Sequence, residues 1–470
     1  TVDDLLAVAN AKCDEWGGDE RMATHLKPSV LLRPSNVGRY LDEIRADIMD
    51  KRAALSAEHE PSPSRPRVGE DATDKRRAGM EAALLIRSGA IHILQRAAKA
   101  QPENPLFQNL PKDAGEFRGM RMLRMFEVDM ESRGVRVRGT DEMELAGRAM
   151  TEIGRAWERG LGDLVKRGID GGQVGADFPV ALVNAMHKTA LGKYALAPAT
   201  WRRFCGVGTI NDFRAHPQFR ASGIAALSLV QPNGEFVNRD IADAYRENLT
   251  AQTYGNIVAL TRQVLINDDM GFFSDIVGDL GNAAGETIEA LVYAVLSTAG
   301  GLGPNMLDGV ALFNAAHANL GAAGAIGVAK FDADRVIMAA QVDLAGRILD
   351  LRPAVVVVPA GSEGQARVIN ESEYDIDAVG AGTPPALRPN RVRGLFSDVV
   401  GSARLAGTRY YIFADPQLYP CLKVAFLDGQ QEPYLEMQPG WRVDGTEWKV
   451  RLDVAVGAVD WRTGLTAAGA

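Results

Sequence analysis

Residues 270–299 (MGFFSDIVGDLGNAAGETIEALVYAVLSTA) limit the fold more than any other stretch of this chain. Ile276, Leu280, Ala284, Ile288, Leu291 and Val295 recur three to four residues apart, the spacing that lines up side chains on one face of an α-helix. Asn267-Asp268-Asp269 stands just before the run. Its oxygens could hold a cation, but carboxylates also favour a helix N-terminus, and the cap reading is preferred because the helix begins beside it. Gly300-Gly301-Leu302-Gly303-Pro304 ends the run. At helical rise this is a rod of about 45 Å, well beyond an average globular helix. Such a rod, joined to a long hairpin, is not expected to bury both faces within a compact monomer, which makes protein–protein assembly the physical expectation.

The hairpin is read at roughly 219–260, where helical periodicity is lost and Pro232-Asn233-Gly234 marks a turn between extended segments. Before it, residues 177–205 read as helical, with Asp177 a candidate N-cap and Pro179 near the first turn. After it, Asp332–Leu351 reads as an amphipathic helix and Ala354–Val358 (AVVVV) as a buried strand ended by Pro359. Arg409–Phe413 and Leu422–Leu427 read as further strands. Asp444-Gly445 is the best hairpin turn in the chain. Beyond it Trp448, Val450, Leu452, Val454 and Val456 alternate with Lys449, Arg451 and Asp453, so one face is buried and the other wet.

The first third has another texture. Residues 1–175 carry 28 basic and 29 acidic side chains, and 176–470 carry 24 and 31, so charge density drops from roughly a third to roughly a fifth and two structural regimes are expected. Residues 39–57, 75–98 (with Leu84, Leu85, Ile91 and Leu94) and 116–159 read as helical and weakly packed, and Pro-rich 60–74 as a linker.

Chemistry is poorly signalled. The chain has 470 residues, 46% apolar and 24% charged, which excludes a mostly disordered or collagen-like chain. A net charge of -8 speaks against a strongly basic nucleic-acid binder. Cys13, Cys205 and Cys421 lie far apart, which supports neither a disulfide framework nor a structural zinc site. No 18-residue apolar run predicts a membrane span, and no secretory signal opens the sequence. Walker, G-x-S-x-G and H-E-x-x-H motifs are absent. Gly206-Val207-Gly208 and Gly300–Gly303 read as turns rather than phosphate loops. His317, in Phe313–Asn319, is the most tempting of six isolated histidines, but reads as a packed or backbone-bonded one. Glu363 has neither a basic nor a nucleophilic partner nearby in sequence, and Arg388, Arg391 and Arg393 form a basic cluster suited to phosphates or to ion pairing at a subunit contact. The expected set of catalytic, cofactor-binding and metal-binding residues is empty.

A resemblance gives these elements a common frame. From Asp177 to Gly281 the chain resembles the major capsid proteins of tailed phages, specifically the Mu-like head subunit group, some of which are fused to a ClpP-like prohead protease. The residues that carry it are Asp177-Phe178-Pro179, Tyr194, Trp201-Arg202-Arg203, Asp212-Phe213, Tyr254-Gly255, Thr261-Arg262-Gln263 and Leu265–Asp269. It continues through Pro304–Gly309, Leu312-Phe313, His317 and Asn319, then Ala414-Asp415-Pro416, Val424–Gly429, Glu432–Glu436 and Lys449–Asp460. The match spans roughly 177–462, and more weakly 117–150.

The resemblance implies an α+β chain with the Hong Kong 97-type capsid fold. Residues 177–216 would be the N-arm, 217–264 the E-loop, 265–351 the peripheral domain with its spine helix, 352–420 the axial domain and 421–470 the return strands. Residues 1–116 would be a charged helical or scaffold-like region, and 117–176 a helical linker in which 151–176 look like an insertion. It implies a non-enzymatic virion protein, assembled in the host cytoplasm, whose pentamers and hexamers enclose double-stranded DNA. Portal, scaffold and decoration proteins would be partners, with no membrane and no cofactor. Some relatives crosslink the shell from an E-loop lysine. Here no lysine lies between Lys193 and Lys330, so that bond cannot form. Thr1 in place of Met reads as a trimmed or proteolysed start. The alternatives are the processed product of a protease–capsid fusion and a cellular nanocompartment shell.

Overall fold

The computed structural model describes residues 72–470, apart from 109, 111–112, 138, 157–176, 221–244, 268–269, 344–345, 376–387 and 440–444. Thr73–Ala470 is one unit by its internal packing, distinct from Thr1–Ala72. The helix read at 39–57, most of the 60–74 linker and the Pro232-Asn233-Gly234 tip lie outside the described residues.

Helices come first: α1 (Ala72–Arg87), α2 (Ala90–Ala100), α3 (Met122–Ser132) and α4 (Glu142–Ala156). The helix expected over 75–98 is broken at Gly89, whose φ of 74° is easy only for glycine. These helices are not weakly packed, and the drop in charge near residue 175 is no packing boundary. Met80, Leu84, Leu85, Leu94, Met125 and Phe126 are fully buried in one cluster with the helix α5 (Asp177–Leu196) and with later strands. Much of the buried surface belongs to Ala82, Ala83, Ala90 and Ala97, which a count of large apolar residues overlooks.

Helix α5 is buried on several sides, through Phe178, Val180, Leu182, Val183 and Met186, as expected of a helix apolar all round. It begins at Asp177, and a residue of α3 serves its N-terminus: Phe178 N–H donates to the wholly buried Asp129 carboxylate at 3.3 Å.

After α6 (Arg262–Asn267) comes the long helix α7 (Met270–Gly301), present as its periodicity predicts. It runs regularly to Thr298, where ψ swings to 147°, and Ala299 and Gly300 turn left-handed. Its apolar stripe is covered within the chain. Val277, Leu280 and Ala284 join the helical cluster, while Ile288, Val292, Tyr293 and Leu296 pack between the two main sheets. The opposite face carries exposed Asp275, Asp279 and Glu286, with Phe272 exposed in the first turn. Helix α5 approaches α7 along Gly278, Gly281 and Gly285. A Cβ on Gly281 would overlap the Ala190 carbonyl oxygen and lie 2.7 Å from its carbon.

The larger sheet has five strands. β1 (Gly206–Ile210) pairs in parallel with β8 (Leu422–Leu427), and β8 pairs antiparallel with the end of β10 (Gly445–Ala458). On its other edge β10 pairs with β4 (Gln252–Thr261), and its first half also pairs with β9 (Tyr434–Pro439). The alternation read after Asp444-Gly445 holds from Trp448 to Val454 and ends at Ala455, where two successive residues are buried. Asp444 itself lies outside the described residues. Gly206-Val207-Gly208 is strand, not turn: a Cβ on Gly206 would meet Pro420, and one on Gly208 the Lys423 side chain.

The second sheet has the order β11-β7-β5-β6. It is built from β5 (Val355–Pro359), β6 (Asp398–Ser402), β7 (Tyr410–Phe413) and β11 (Gly464–Ala467), with β5 buried at every residue. Its outer face is covered by α8 (Val328–Ala339) and α9 (Glu363–Glu371). The helix expected over Asp332–Leu351 starts earlier and stops at Ala339. Val342 instead bridges back to Ile348, because Gly346 (φ 73°) turns the chain and the Asp343 carboxylate accepts from Arg347 N–H.

Candidate functional site

One element stands outside both main sheets. β2 (His216–Arg220) and β3 (Tyr245–Leu249) pair antiparallel as a two-stranded ribbon. This is the base of the hairpin read at 219–260. Its return strand is β3, because β4 leaves the ribbon to pair with β10. An isolated ribbon is marginal in water, and this one displays Phe219 at 64% exposure, near Phe213 at 50%.

Two side-chain contacts, at Gln218 and Glu247, fasten the ribbon to the body, and a third, at His216, joins it to the preceding turn. Lys423, in β8, donates to the Gln218 amide oxygen at 2.7 Å, and burial pulls its ammonium below the usual lysine range. The Asp212 carboxylate faces His216 at 2.8 Å and accepts from Arg214 N–H, which holds it below the usual carboxylate range. Glu247, in β3, accepts from Leu307 N–H at 2.9 Å, and burial pushes its carboxyl up. The segment 304–319 that supplies Leu307 also holds His317. That ring is buried, as its sequence context predicts, and it stacks on Trp461 with centroids 4.4 Å apart.

The other sequence-selected residues do not converge. Glu363 does have a basic partner, Arg367, one helical turn on at 2.7 Å, a spacing visible in the sequence. Arg391 pairs with Asp332 at 3.3 Å, while Arg388 and Arg393 are exposed. Of Asn267-Asp268-Asp269 only Asn267 is described, as the last residue of α6. Cys205 and Cys421 are buried. Among the described residues no cluster of three or more His, Cys, Asp or Glu could hold a metal, and no helix is long and apolar enough to cross a membrane.

What sequence reading missed are polar clamps between distant segments. Glu289, buried in α7, accepts from Thr200 Oγ1 and from Trp201 N–H, fixing residues 200–203 against the long helix. Arg203 forks onto the Asp398 carboxylate and reaches the Val399 carbonyl, joining that turn to β6. Asp334, wholly buried in α8, accepts from Lys330 Nζ and from the Tyr410 hydroxyl. Burial beside that carboxylate raises Tyr410 far above the usual phenol range. Separations of 76 to 195 residues leave no local signal for the Tyr410, Glu289 and Arg203 contacts, whereas Lys330 and Asp334 stand one helical turn apart.

A cavity of about 340 Å³ lies between α5 and the larger sheet, lined by His187, Asp428, Glu432, Tyr434, Arg451 and Asp453 among others. Arg451 is already paired with Asp453 at 3.3 Å and lies over the Tyr434 ring. No nucleophile stands beside a base there. Burial, with Lys188 adjacent, pushes His187 down to about 4. A folded-state value below the unfolded one means that the unfolded chain takes up the proton first. Stability is therefore expected to fall as pH drops from about 6.5 towards about 4, by roughly 2–3 kcal/mol at most. Melting temperatures across this range check it, and His187→Gln should flatten that part of the profile.

No curated protein matches the chain. Among solved structures, one of Microbacterium phage Oxtober96 is similar at 10% identity and TM-score 0.39, covering 58% of this chain and 91% of that one. The capsid of Helicobacter pylori bacteriophage KHP30 is similar at 10% identity and TM-score 0.38, covering 56% and 86%. A virus-like particle from Pyrococcus furiosus is similar at 11% identity and TM-score 0.36, covering 60% and 97%. Residues 245–467 match the family model described as phage capsid protein, just under half of the chain. Over this stretch, from β3 to β11, the chain is similar to phage capsid proteins.

Proposed function

We propose that copies of this chain form pentamers and hexamers that close an icosahedral shell around double-stranded DNA in a tailed-phage head. The observation that carries this is the β2–β3 ribbon, which pairs with neither main sheet and exposes Phe219. Such a ribbon gains stability by lying on another surface, and an adjacent subunit supplies one. In this reading 217–264 is the E-loop, 177–216 the N-arm, 265–351 the peripheral domain, 352–420 the axial domain and 421–470 the return strands. Residues 1–116 act as a scaffold-like region. The Mu-like group is the subgroup proposed, on the residues quoted above. Assembly takes place in the host cytoplasm, with portal and decoration proteins as further partners and no enzymatic activity of the chain itself.

Phe219→Asp tests the ribbon directly. It is expected to abolish particles in sedimentation while leaving the far-UV circular dichroism of the subunit unchanged; particles formed normally by the variant would defeat the reading. The absence of any lysine from 194 to 329 leaves burial and strand pairing to hold the shell, so denaturing gels of intact shells are expected to show monomers. A covalent ladder would contradict this. The second reading is a nanocompartment shell for protein cargo. Nuclease-protected DNA in purified particles separates the two.

A further inference from the structure

Strand β4 forms an edge of the larger sheet that differs from the other edges. It runs ten residues, Gln252–Thr261, and pairs with β10 on one side. Among the described residues it has no strand on the other side, and the backbone groups of 252–259 are bonded to nothing but β10. The strand contains no charged residue and no proline, the devices by which natural proteins keep an open edge from pairing. Other edges are closed or short. The Val399 carbonyl of β6 accepts from Arg203 and from Arg367. Thr466 of β11 exchanges backbone bonds with Asn319 and Gly321. β1 is five residues long.

Both faces of β4 suit a second copy of the same strand. Tyr254 and Asn256 oppose Leu452 and Val450 and share their face, towards α7. A cavity of about 160 Å³ lies between strand and helix there, lined by Tyr254, Asn256, Leu280, Ala284, Thr287 and Leu452 among others. Thr253, Gly255, Ile257 and Ala259 alternate onto the wet face, with Lys449, Arg451 and Asp453. Ile257 is 61% exposed. Gly255 is exposed beside it and has no room for a side chain, because a Cβ would lie 2.7 Å from the Val450 carbonyl oxygen. Two antiparallel strands related by a two-fold axis must set one residue against its own counterpart. With Asn256 in that place, all of 252–260 is paired. Ile257 of each copy then covers Gly255 of the other, and the two Asn256 amides, each both donor and acceptor, meet on the α7 side. An uncharged strand brings no like charges together in such a pair, whereas a charged partner finds no counter-charge on it.

We propose that β4 is a self-pairing edge: it joins β4 of a second copy antiparallel about a two-fold axis at Asn256, so that one sheet runs through two subunits. This rests on the reading that copies of the chain assemble into rings and a shell, and it names the contact between rings. Subunits within a ring meet head to tail through two different surfaces, whereas subunits of adjacent rings meet across two-fold axes, which calls for a self-complementary patch. The paired strands and the helix flanks beside them bury on the order of 1,000 Å², the low end for a specific contact. The pair is therefore weak between free subunits and firm where many act together.

Disulfide trapping in the full chain and in assembled particles tests it. Directly opposed residues have Cβ atoms about 4.5–5.5 Å apart. Under mild copper-phenanthroline oxidation Asn256→Cys is thus expected to give about tenfold more covalent dimer than the native chain. Gln252→Cys is the control, since its two copies would stand about 27 Å apart along the paired strands, and its dimer is expected at the native level. If Asn256→Cys fails to fold, a mixture of Thr253→Cys and Ala259→Cys chains reads the same register: the mixed dimer is expected, and neither variant alone should exceed the native level. No excess of dimer at position 256 or in the mixture, or an equal excess with Gln252→Cys, would overturn the proposal. Particles that form without the crosslink would defeat the pairing and leave the shell reading intact, whereas crosslinked dimers that never close into particles would defeat the shell reading and leave the pairing.

Discussion

Gly281→Ala is expected to destabilise the subunit by about 3 kcal/mol or more, although alanine is the better helix former by about 1 kcal/mol. The added methyl would enter the Ala190 backbone, with the carbonyl carbon at 2.7 Å and the Cα at 3.0 Å. Backbone in the middle of α5 cannot rotate away as a side chain can, so the two helices must separate. Separation would open the cluster that joins α1–α5, α7 and the β9–β10 hairpin. Two neighbouring glycines serve as graded controls. At Gly278 the obstacle is the Lys193 side chain, whose flexible end can move, so alanine there should cost less. At Gly271 nothing lies within 4 Å, and alanine should be neutral or slightly stabilising. Chemical denaturation of the three variants measures the series. An unchanged midpoint for Gly281→Ala would mean that α5 and α7 are not held this close.

Lys330→Ala should have the second large effect, a loss of about 3–5 kcal/mol, because it leaves a fully buried carboxylate without its cation. Asp334 is 0% exposed, and Lys330 Nζ approaches it at 2.5 Å from one turn away. The Tyr410 hydroxyl alone would then face the charge. The double variant Lys330→Met with Asp334→Leu removes both charges and fills the space, so it is expected to recover most of the loss. Equal losses in the single and double variants would show that the pair contributes through shape rather than charge.

The sequence revealed the elements whose pattern is local. Helix α7 follows from its apolar spacing and its glycine stop, β10 from strict alternation, and β5 from four successive valines. His317 was legible as a core histidine, but not its bond to Asp308, nine residues away in a turn. What escaped was set by distant partners. Helices α1–α4 looked like a solvated preface because their buried faces are rich in alanine, and alanine contributes little to an apolar stripe. Gly206–Gly208 looked like a turn because the Pro420 and Lys423 side chains that require glycine there come from the other end of the chain. Helix α8 looked too long because residues beyond Ala339 keep apolar side chains while Gly346 reverses their direction. The clamps of Arg203 on Asp398 and of Glu289 on Thr200 depend on the assembled fold and leave no spacing to read.

Electron microscopy of the negatively stained, purified chain, with sedimentation of the same sample, addresses shell formation most directly. Closed shells of uniform diameter, or ring-shaped capsomers that convert to them, are expected. A monomer that persists at every concentration and in every buffer tried, with the β2–β3 ribbon intact by hydrogen exchange, would contradict the account.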